Sequence, residues 1–402
     1  DSSTSRGLGD VYKRQVLSSN KYMKKVLLTA TVQSHICQFH KPLVKMLHEN
    51  GYEVHVAAYD NLYLKNGLKL DFVDKVFNIP FSRSPKSPNN IKAYKEMKKI
   101  LTNERYDYIH CNTPMGGIVT RLAARKARKE GTEIIYAAHG FHFYQGAPLA
   151  AWLVFYPIEK FFGKHYTDKL ITISNADYEM AVKKHICEKV YRIHSVGINS
   201  KKYNKVDDRV LEAYRADYGL MATDFVCICT GELNKNKRQR LVIDALPEIV
   251  KVVPNFKLLI ASNGAEKENL ENQIKSLGMK GHAQLIGYRT DLEVFANLSD
   301  IAVSASLREG LGINLIEAMN CHKPVVGSVN RGHSEFIKDG VNGFLAGGET
   351  DTEISSSFAK TIIKLATDKA LYSKLAEQAY KDAQMYMDFN VEKELKDIYF
   401  GK

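Results

Sequence analysis

Short apolar runs with strand character alternate with helix-length amphipathic segments along this chain, and the whole pattern runs twice. In the first half, strands are predicted at residues 25–30, 53–58, 76–79, 108–111, 134–138, 169–173 and 190–193. A polar stretch at 199–208, rich in Lys, Asp and Asn, interrupts the rhythm. It resumes with strands at 225–230, 256–261, 283–286, 301–304, 324–327 and 343–345. Strands separated by helices return in parallel, since the crossover helix carries the chain back to the starting end of the sheet. At 402 residues the chain also exceeds what one core usually covers. The expectation is an α/β protein of two Rossmann-like, doubly wound parallel-sheet domains facing each other across a cleft. Residues 21–198 make the first domain, 199–208 the linker and 209–385 the second, with a helix at 386–402 packing back on the first. Ligands of such sheets bind beyond the carboxyl ends of the strands, so a site belongs in the cleft. Residues 1–20 show neither period and read as a non-native or disordered leader, the first fifteen as vector read-through.

Several classes drop out on composition. The longest uncharged apolar run, 145–158, is too short to span a bilayer and contains two prolines. The basic start is not followed by the apolar core of a signal peptide. The six cysteines are scattered without a Cys-x-x-Cys pair, which points away from zinc and disulfides and toward a reducing, cytoplasmic location. The net charge of +12 is unevenly placed, with twelve Lys or Arg against four Asp or Glu in residues 83–130. On a helix over about 89–103, Ile91, Tyr94, Met97 and Leu101 share one face and Lys92, Lys95 and Lys99 another. Arg121, Arg125 and Arg128 line up on the next. These rows fit a solvated basic face and an anionic membrane or acceptor surface equally well. The aromatic stretch 141–162, with Trp152, Phe155 and Tyr156, reads first as a buried core helix and second as an interfacial contact.

Chemistry concentrates in Glu309-Gly-Leu-Gly-Ile-Asn-Leu-Ile-Glu317, after the 301–304 strand. Gly310 and Gly312 let backbone approach a ligand closely. The unpaired N–H groups of the helix that starts there, around Leu311 and Ile313, suit a phosphate. A carboxylate on each side suits paired hydroxyls, because a carboxylate accepts from two neighbours at once. A sugar and a ribose joined through a diphosphate satisfy that spacing. A second turn, Thr230-Gly231-Glu232-Leu-Asn-Lys235-Asn-Lys237-Arg238, follows the 225–230 strand. Its cations would neutralise a departing diphosphate, although alone they are equally surface lysines in a polar loop. A helix is predicted from near Asn236, with Leu241, Val242, Ala245 and Leu246 inward.

Other positions carry weaker signals. His139 ends the 134–138 strand and is favoured over its rival His142 as a group facing the cleft. The predicted loop at 31–35, with Ser34 and His35, lacks the Gly-x-Gly-x-x-Gly of a dinucleotide site, which argues against an NAD enzyme. It would admit an acceptor, or be a plain crossover. Asn263 and Gly264, after the 256–261 strand, and Tyr288 and Arg289, after 283–286, would meet the nucleotide, though plain turns fit as well. Gly332, in Arg331-Gly-His-Ser-Glu335, suits close approach by a phosphate or sugar.

In order along the chain, His139-Gly140, Ser174-Asn175, Gly197-Ile-Asn199, Gly231 to Lys237, Asp300, Glu309 to Glu317 and Gly332 to Glu335 resemble the retaining glycosyltransferases of family 4. The likeness runs from residue 24 to the end and is greatest to bacterial exopolysaccharide and capsule enzymes. It implies the GT-B architecture. By position it implies that Lys237 binds the donor diphosphate, that Glu309 lies near the donor sugar, that Glu317 holds the ribose and that His139 meets the transferred sugar. The family often has arginine where Glu232 stands, so Lys235 or Arg238 would replace that phosphate contact. The resemblance implies no metal and no cofactor, and no Asp-x-Asp occurs at a strand end. The expected donor is a nucleotide-sugar, UDP-linked, and the basic window at 83–130 adds the expectation of a glycan or polyprenyl-diphosphate-linked acceptor and of an anionic membrane surface, the inner face of the plasma membrane. Two other classes compete: a UDP-N-acetylglucosamine 2-epimerase of the same fold, and a basic nucleic-acid-binding protein. The Glu309–Glu317 segment and Lys237 favour transfer over the first. Against the second, the basic residues are not interleaved with aromatics as in a known nucleic-acid module.

Overall fold

The computed structural model describes residues 23–64, 67–144 and 146–401, and the 1–20 leader lies outside them. Every predicted strand forms. They are β1 (Lys24–Val32), β2 (Tyr52–Tyr59), β3 (Lys75–Asn78), β4 (Tyr108–Asn112), β5 (Glu133–Ala138), β6 (Lys169–Thr172), β7 (Lys189–Arg192), β8 (Phe225–Thr230), β9 (Phe256–Ala261), β10 (Ala283–Gly287), β11 (Ile301–Ser304), β12 (Val325–Ser328) and β13 (Gly343–Ala346). They join two parallel sheets, ordered β3-β2-β1-β4-β5-β6-β7 and β10-β9-β8-β11-β12-β13. Near-continuous apolar sequence such as Val26-Leu27-Leu28 suits a central strand covered by helices on both faces, and all three side chains are fully buried.

In the second sheet the chain winds outward from β8 through β9 to β10, then crosses back so that β11 lies on β8's other side. Cys227 and Cys229 thus face Ile301 and Val303 in register. The loops leaving β8 and β11 diverge at this reversal, and a doubly wound sheet opens its binding crevice there. Beneath them, Leu241, Val242, Ala245 and Leu246 are buried as expected, in one core with Phe256, Phe358 and Ile362. By contacts the chain separates into two units. One holds the residues through Ala137 with His165–Lys169, and the other holds Ala138–Lys164 with Leu170 onward.

In the first unit, three expectations change. No loop exists at 31–35: Thr31 and Val32 finish β1, and Gln33–Phe39 is already helical. No glycine or proline interrupts that junction. The Asn89–Asn103 helix buries Asn90, Ala93, Met97 and Ile100, leaving Ile91 exposed. The cause is Asn90, whose amide donates to Ser84 O and accepts from Ser82 N, which turns its face inward. Lys92, Lys95 and Lys99 do face solvent. The arginine row is structural instead. Arg121 is buried, stacks 3.9 Å from the Tyr136 ring centroid and donates to Gly117 O and Thr167 Oγ1. Arg128 is paired to Asp168, and Arg125 lies over Tyr166.

The aromatic stretch also departs from its first reading. The Leu149–Tyr166 helix packs Trp152 and Tyr156 on Phe143, but Leu149, Leu153, Val154, Phe155, Ile158 and Phe161 are exposed. Among the described residues no helix is long and apolar enough to cross a membrane.

Candidate functional site

The loop after β8 is shaped by its own side chains. Asn234 Oδ1 accepts from the amides of Asn236 and Lys237, closing an Asx turn. Arg238 takes a left-handed φ of 47°, so the helix begins only at Arg240, not near Asn236. Buried Gln239 donates to Gly231 O and Glu232 O, tying the loop's end to its start. Gly264 fits against the same loop, since a Cβ there would stand 2.2 Å from Leu233 O. Leu233 N in turn donates to Asn263 O. The Asn263-Gly264 turn and the cationic turn therefore form one backbone surface.

The loop after β11 meets this surface. Asn236 Nδ2 donates to Arg308 O, and Leu307 N to Asn236 O. The consequence is the contact that defines the site: Lys237 Nζ donates to Glu309 Oε1 at 2.5 Å, with both side chains still partly accessible. The Lys237 methylenes lie over Gly231, 3.4 Å from where a Cβ would be. Gly312, at φ 99°, caps the Ile313–Asn320 helix, and a Cβ there would approach His333 Cδ2 to 2.9 Å. Asn314 Nδ2 bonds Thr230 O, holding this helix start to the end of β8. A cation and a set of helix N-terminal amides thus share one place, with a carboxylate beside them.

Glycine lets two further loops close in. A Cβ on Gly310 would stand 2.7 Å from His139 O, and one on Gly332 would stand 2.7 Å from Glu309 Cβ. So the structure brings together the backbone of His139, Gly310, Gly332 and Glu309. His142 lies stacked on Phe155 at 4.7 Å, and burial pushes its imidazole pKa down, helped by Arg308 and Arg331. Glu317 sits one helix turn in from Gly312 and lines a small cavity with Tyr203, Thr230 and Asn314. Burial raises its carboxyl pKa to about 7, opposed by the Tyr203 hydroxyl that donates to it.

The other predicted residues have the following surroundings. Arg238 donates to Ala305 O and pairs with Asp351 at 3.7 Å. Lys235 faces solvent. Arg289 is paired with Asp291 and lies over Phe295, with Tyr288 half-buried next to it. Leu311 is buried. Ser34 is buried in the first unit, where its hydroxyl accepts from Asn61, and His35 meets Phe39 edge to face.

Sequence reasoning missed two groups. Arg331 forms a bidentate ion pair with buried Asp177 at 2.8 and 2.9 Å, and Asp177 Oδ1 also accepts from Phe141 N. The two residues are far apart in sequence, and the structure shows the Ser174 hydroxyl capping the Asn175–Lys183 helix by accepting from Asp177 N. The other is His333, fully buried beside Gly312. Its Nδ1 lies 2.8 Å from Ser328 O and 2.9 Å from Asn330 Nδ2, and among the described residues Nε2 has no partner. Burial pushes its imidazole pKa down. The Gly-His pair at 332–333 was its one sequence signal.

Known proteins resemble this chain over most of its length. The profile described as "Glycosyl transferases group 1" matches residues 211–382, and that described as "Glycosyltransferase Family 4" matches 42–199. The putative glycosyltransferase EpsD of Bacillus subtilis (strain 168) is 38% identical over 378 residues, covering 94% of this chain and 96% of that one. The Escherichia coli UDP-Gal:alpha-D-GlcNAc-diphosphoundecaprenol alpha-1,3-galactosyltransferase is 27% identical over 298 residues, covering 70% of this chain and 73% of that one. Among solved structures, Anabaena HepE in complex with UDP and glucose superposes with a TM-score of 0.75 at 21% identity, covering 93% of this chain and 99% of that one.

Proposed function

We propose, from the premise that this chain belongs to glycosyltransferase family 4 and is a glycosyltransferase of the GT-B fold, that it moves a sugar from a UDP-linked donor to a glycan or polyprenyl-diphosphate-linked acceptor with retention of configuration. The product serves cell-surface polysaccharide synthesis. The observation that carries this reading is Lys237 poised on Glu309 beside Gly231 and the helix start at Gly312.

Departure of the sugar puts negative charge on the diphosphate. Lys237 turns from Glu309 to the diphosphate when the donor binds, joined by the amides at 310–313, so these groups are in place before charge develops. Glu309, released from Lys237, accepts from a hydroxyl of the donor sugar. Glu317 accepts from the ribose hydroxyls, and the imidazole of His139 meets the transferred sugar. The bond from the anomeric carbon to phosphate oxygen breaks, and the bond to the acceptor oxygen forms on the same face. The acceptor's proton passes to the departing phosphate. No metal ion takes part, because lysine and amide dipoles carry the neutralisation. A UDP complex of HepE and a diphosphoundecaprenol-linked acceptor in the name of the galactosyltransferase support the choice of nucleotide and acceptor.

Titration calorimetry of the purified chain with UDP, GDP and their sugars tests the reading. UDP and one or more UDP-sugars are expected to bind. A folded protein that binds no sugar nucleotide would falsify it.

A further inference from the structure

The outward face of the Leu149–Tyr166 helix is apolar for most of its length. Leu149, Leu153, Pro157 and Phe161 recur every four residues, flanked by Ala150, Val154 and Ile158. Leu149 is 72% exposed, Leu153 68%, Val154 51% and Phe161 50%. From Leu149 to Phe161 this stripe runs for about 18 Å at ~1.5 Å per residue. A soluble surface seldom leaves a stripe of this kind uncovered. The helix is firmly seated by its other side. Trp152 donates to Tyr144 O, and Gly163 meets Ile186 so closely that a Cβ would stand 2.2 Å from its carbonyl oxygen. The apolar side chains therefore cannot rotate inward without breaking that packing.

The charges around the stripe decide what covers it. Lys160 lies over Tyr156, Lys184 over both Trp152 and Tyr156, and Lys164 and Lys183 face solvent. Glu159 is the helix's one acid against Lys160 and Lys164. Two copies pairing through this face would set lysines against lysines. An anionic bilayer surface would instead meet the lysines with headgroups and take the Leu, Val, Ile and Phe side chains at the acyl boundary. We infer that this helix is a membrane-docking surface that lies in the interface of an anionic bilayer without spanning it. The inference rests on the lipid-linked acceptor proposed above for its purpose, and on exposure and charge for its location.

Vesicle flotation of the full chain tests it, with phosphatidylcholine alone and with added phosphatidylglycerol. Wild type is expected to float with the anionic vesicles, more weakly as salt rises. Leu153→Glu/Phe161→Glu is expected to lower the bound fraction about tenfold or more, since charge in the acyl boundary is strongly disfavoured. Trp152, the only tryptophan, reports the same event through quenching by brominated lipid. The double variant should keep its stabilisation by UDP, which separates loss of docking from loss of the donor site. Three results overturn the inference: wild type left unbound by anionic vesicles, equal binding by both proteins, or a wild-type dimer that the double variant dissolves while neither floats.

Discussion

At the scale of single residues, the site turns on how two acidic groups are balanced. Glu309 is balanced by Lys237. Lys237→Ala is expected to lower turnover at saturating donor by ~10²–10³ with an unchanged circular dichroism spectrum; near wild-type turnover would remove Lys237 from the phosphate contact. Glu317 forms no ion pair among the described residues, and burial raises its carboxyl pKa to about 7 against the weaker pull of Lys202. The folded state therefore holds a proton that the unfolded chain, titrating near 4.5, has already released. Between those values the folded state binds more protons, so this group's contribution to stability is full below about 4.5 and falls as pH rises to about 7. Glu317→Gln is expected to flatten that part of the melting-temperature profile. Ribose hydroxyls pair best with the carboxylate form, so UDP affinity should rise as pH passes through about 7 in wild type, and calorimetry should show no such rise in Glu317→Gln. Both glutamates were legible in the sequence, because a short helix start fixes their spacing. The partner of each was not: Tyr203 reaches Glu317 from more than a hundred positions away.

At the scale of elements, the site is an assembly of loops held by tight backbone contacts. Gly264→Ala would drive a methyl into Leu233 O. The expected outcome is a loss of ~1–3 kcal/mol in chemical denaturation, together with weaker UDP binding, because the displaced turn supports the Lys237 loop. Arg331 and Asp177 join the 331–335 turn to the start of the Asn175–Lys183 helix. Asp177→Ala leaves a largely buried guanidinium without its carboxylate and is expected to cost ~3–5 kcal/mol. Asp177→Ala/Arg331→Met should recover much of that, since the stranded charge is gone; equal losses in the single and double variants would show the pair to be ordinary surface electrostatics. Element identity was readable from periodicity, but rotation was not. One polar residue, Asn90, turned a helix by the bonds it makes to a neighbouring loop. Arg121 likewise looked like surface charge until Tyr136 and Thr167 were placed around it.

At the scale of the whole molecule, the donor should act as a stabilising ligand. One-site binding to the folded state alone adds about 2.7 kcal/mol at a concentration of 100 Kd, and Lys237→Ala should lose most of the corresponding shift in melting temperature. Chelation by EDTA is expected to leave initial transfer rates unchanged; a loss restored by a divalent cation would show that metal shares the neutralisation. These outcomes bear on the proposed mechanism rather than on family membership, which rests on similarity along nearly the whole chain.

The amino-acid sequence by itself determined that there are two parallel sheets, which runs form their strands, and where the paired glutamates and the lysine-bearing turn fall. Those features follow from local periodicity and from glycine, which act over a few residues. Tertiary structure alone decided which charges stay exposed, which are neutralised, and that an aromatic helix shows its apolar side outward. Burial and ion pairing depend on neighbours distant in sequence, and no local pattern encodes who those neighbours are.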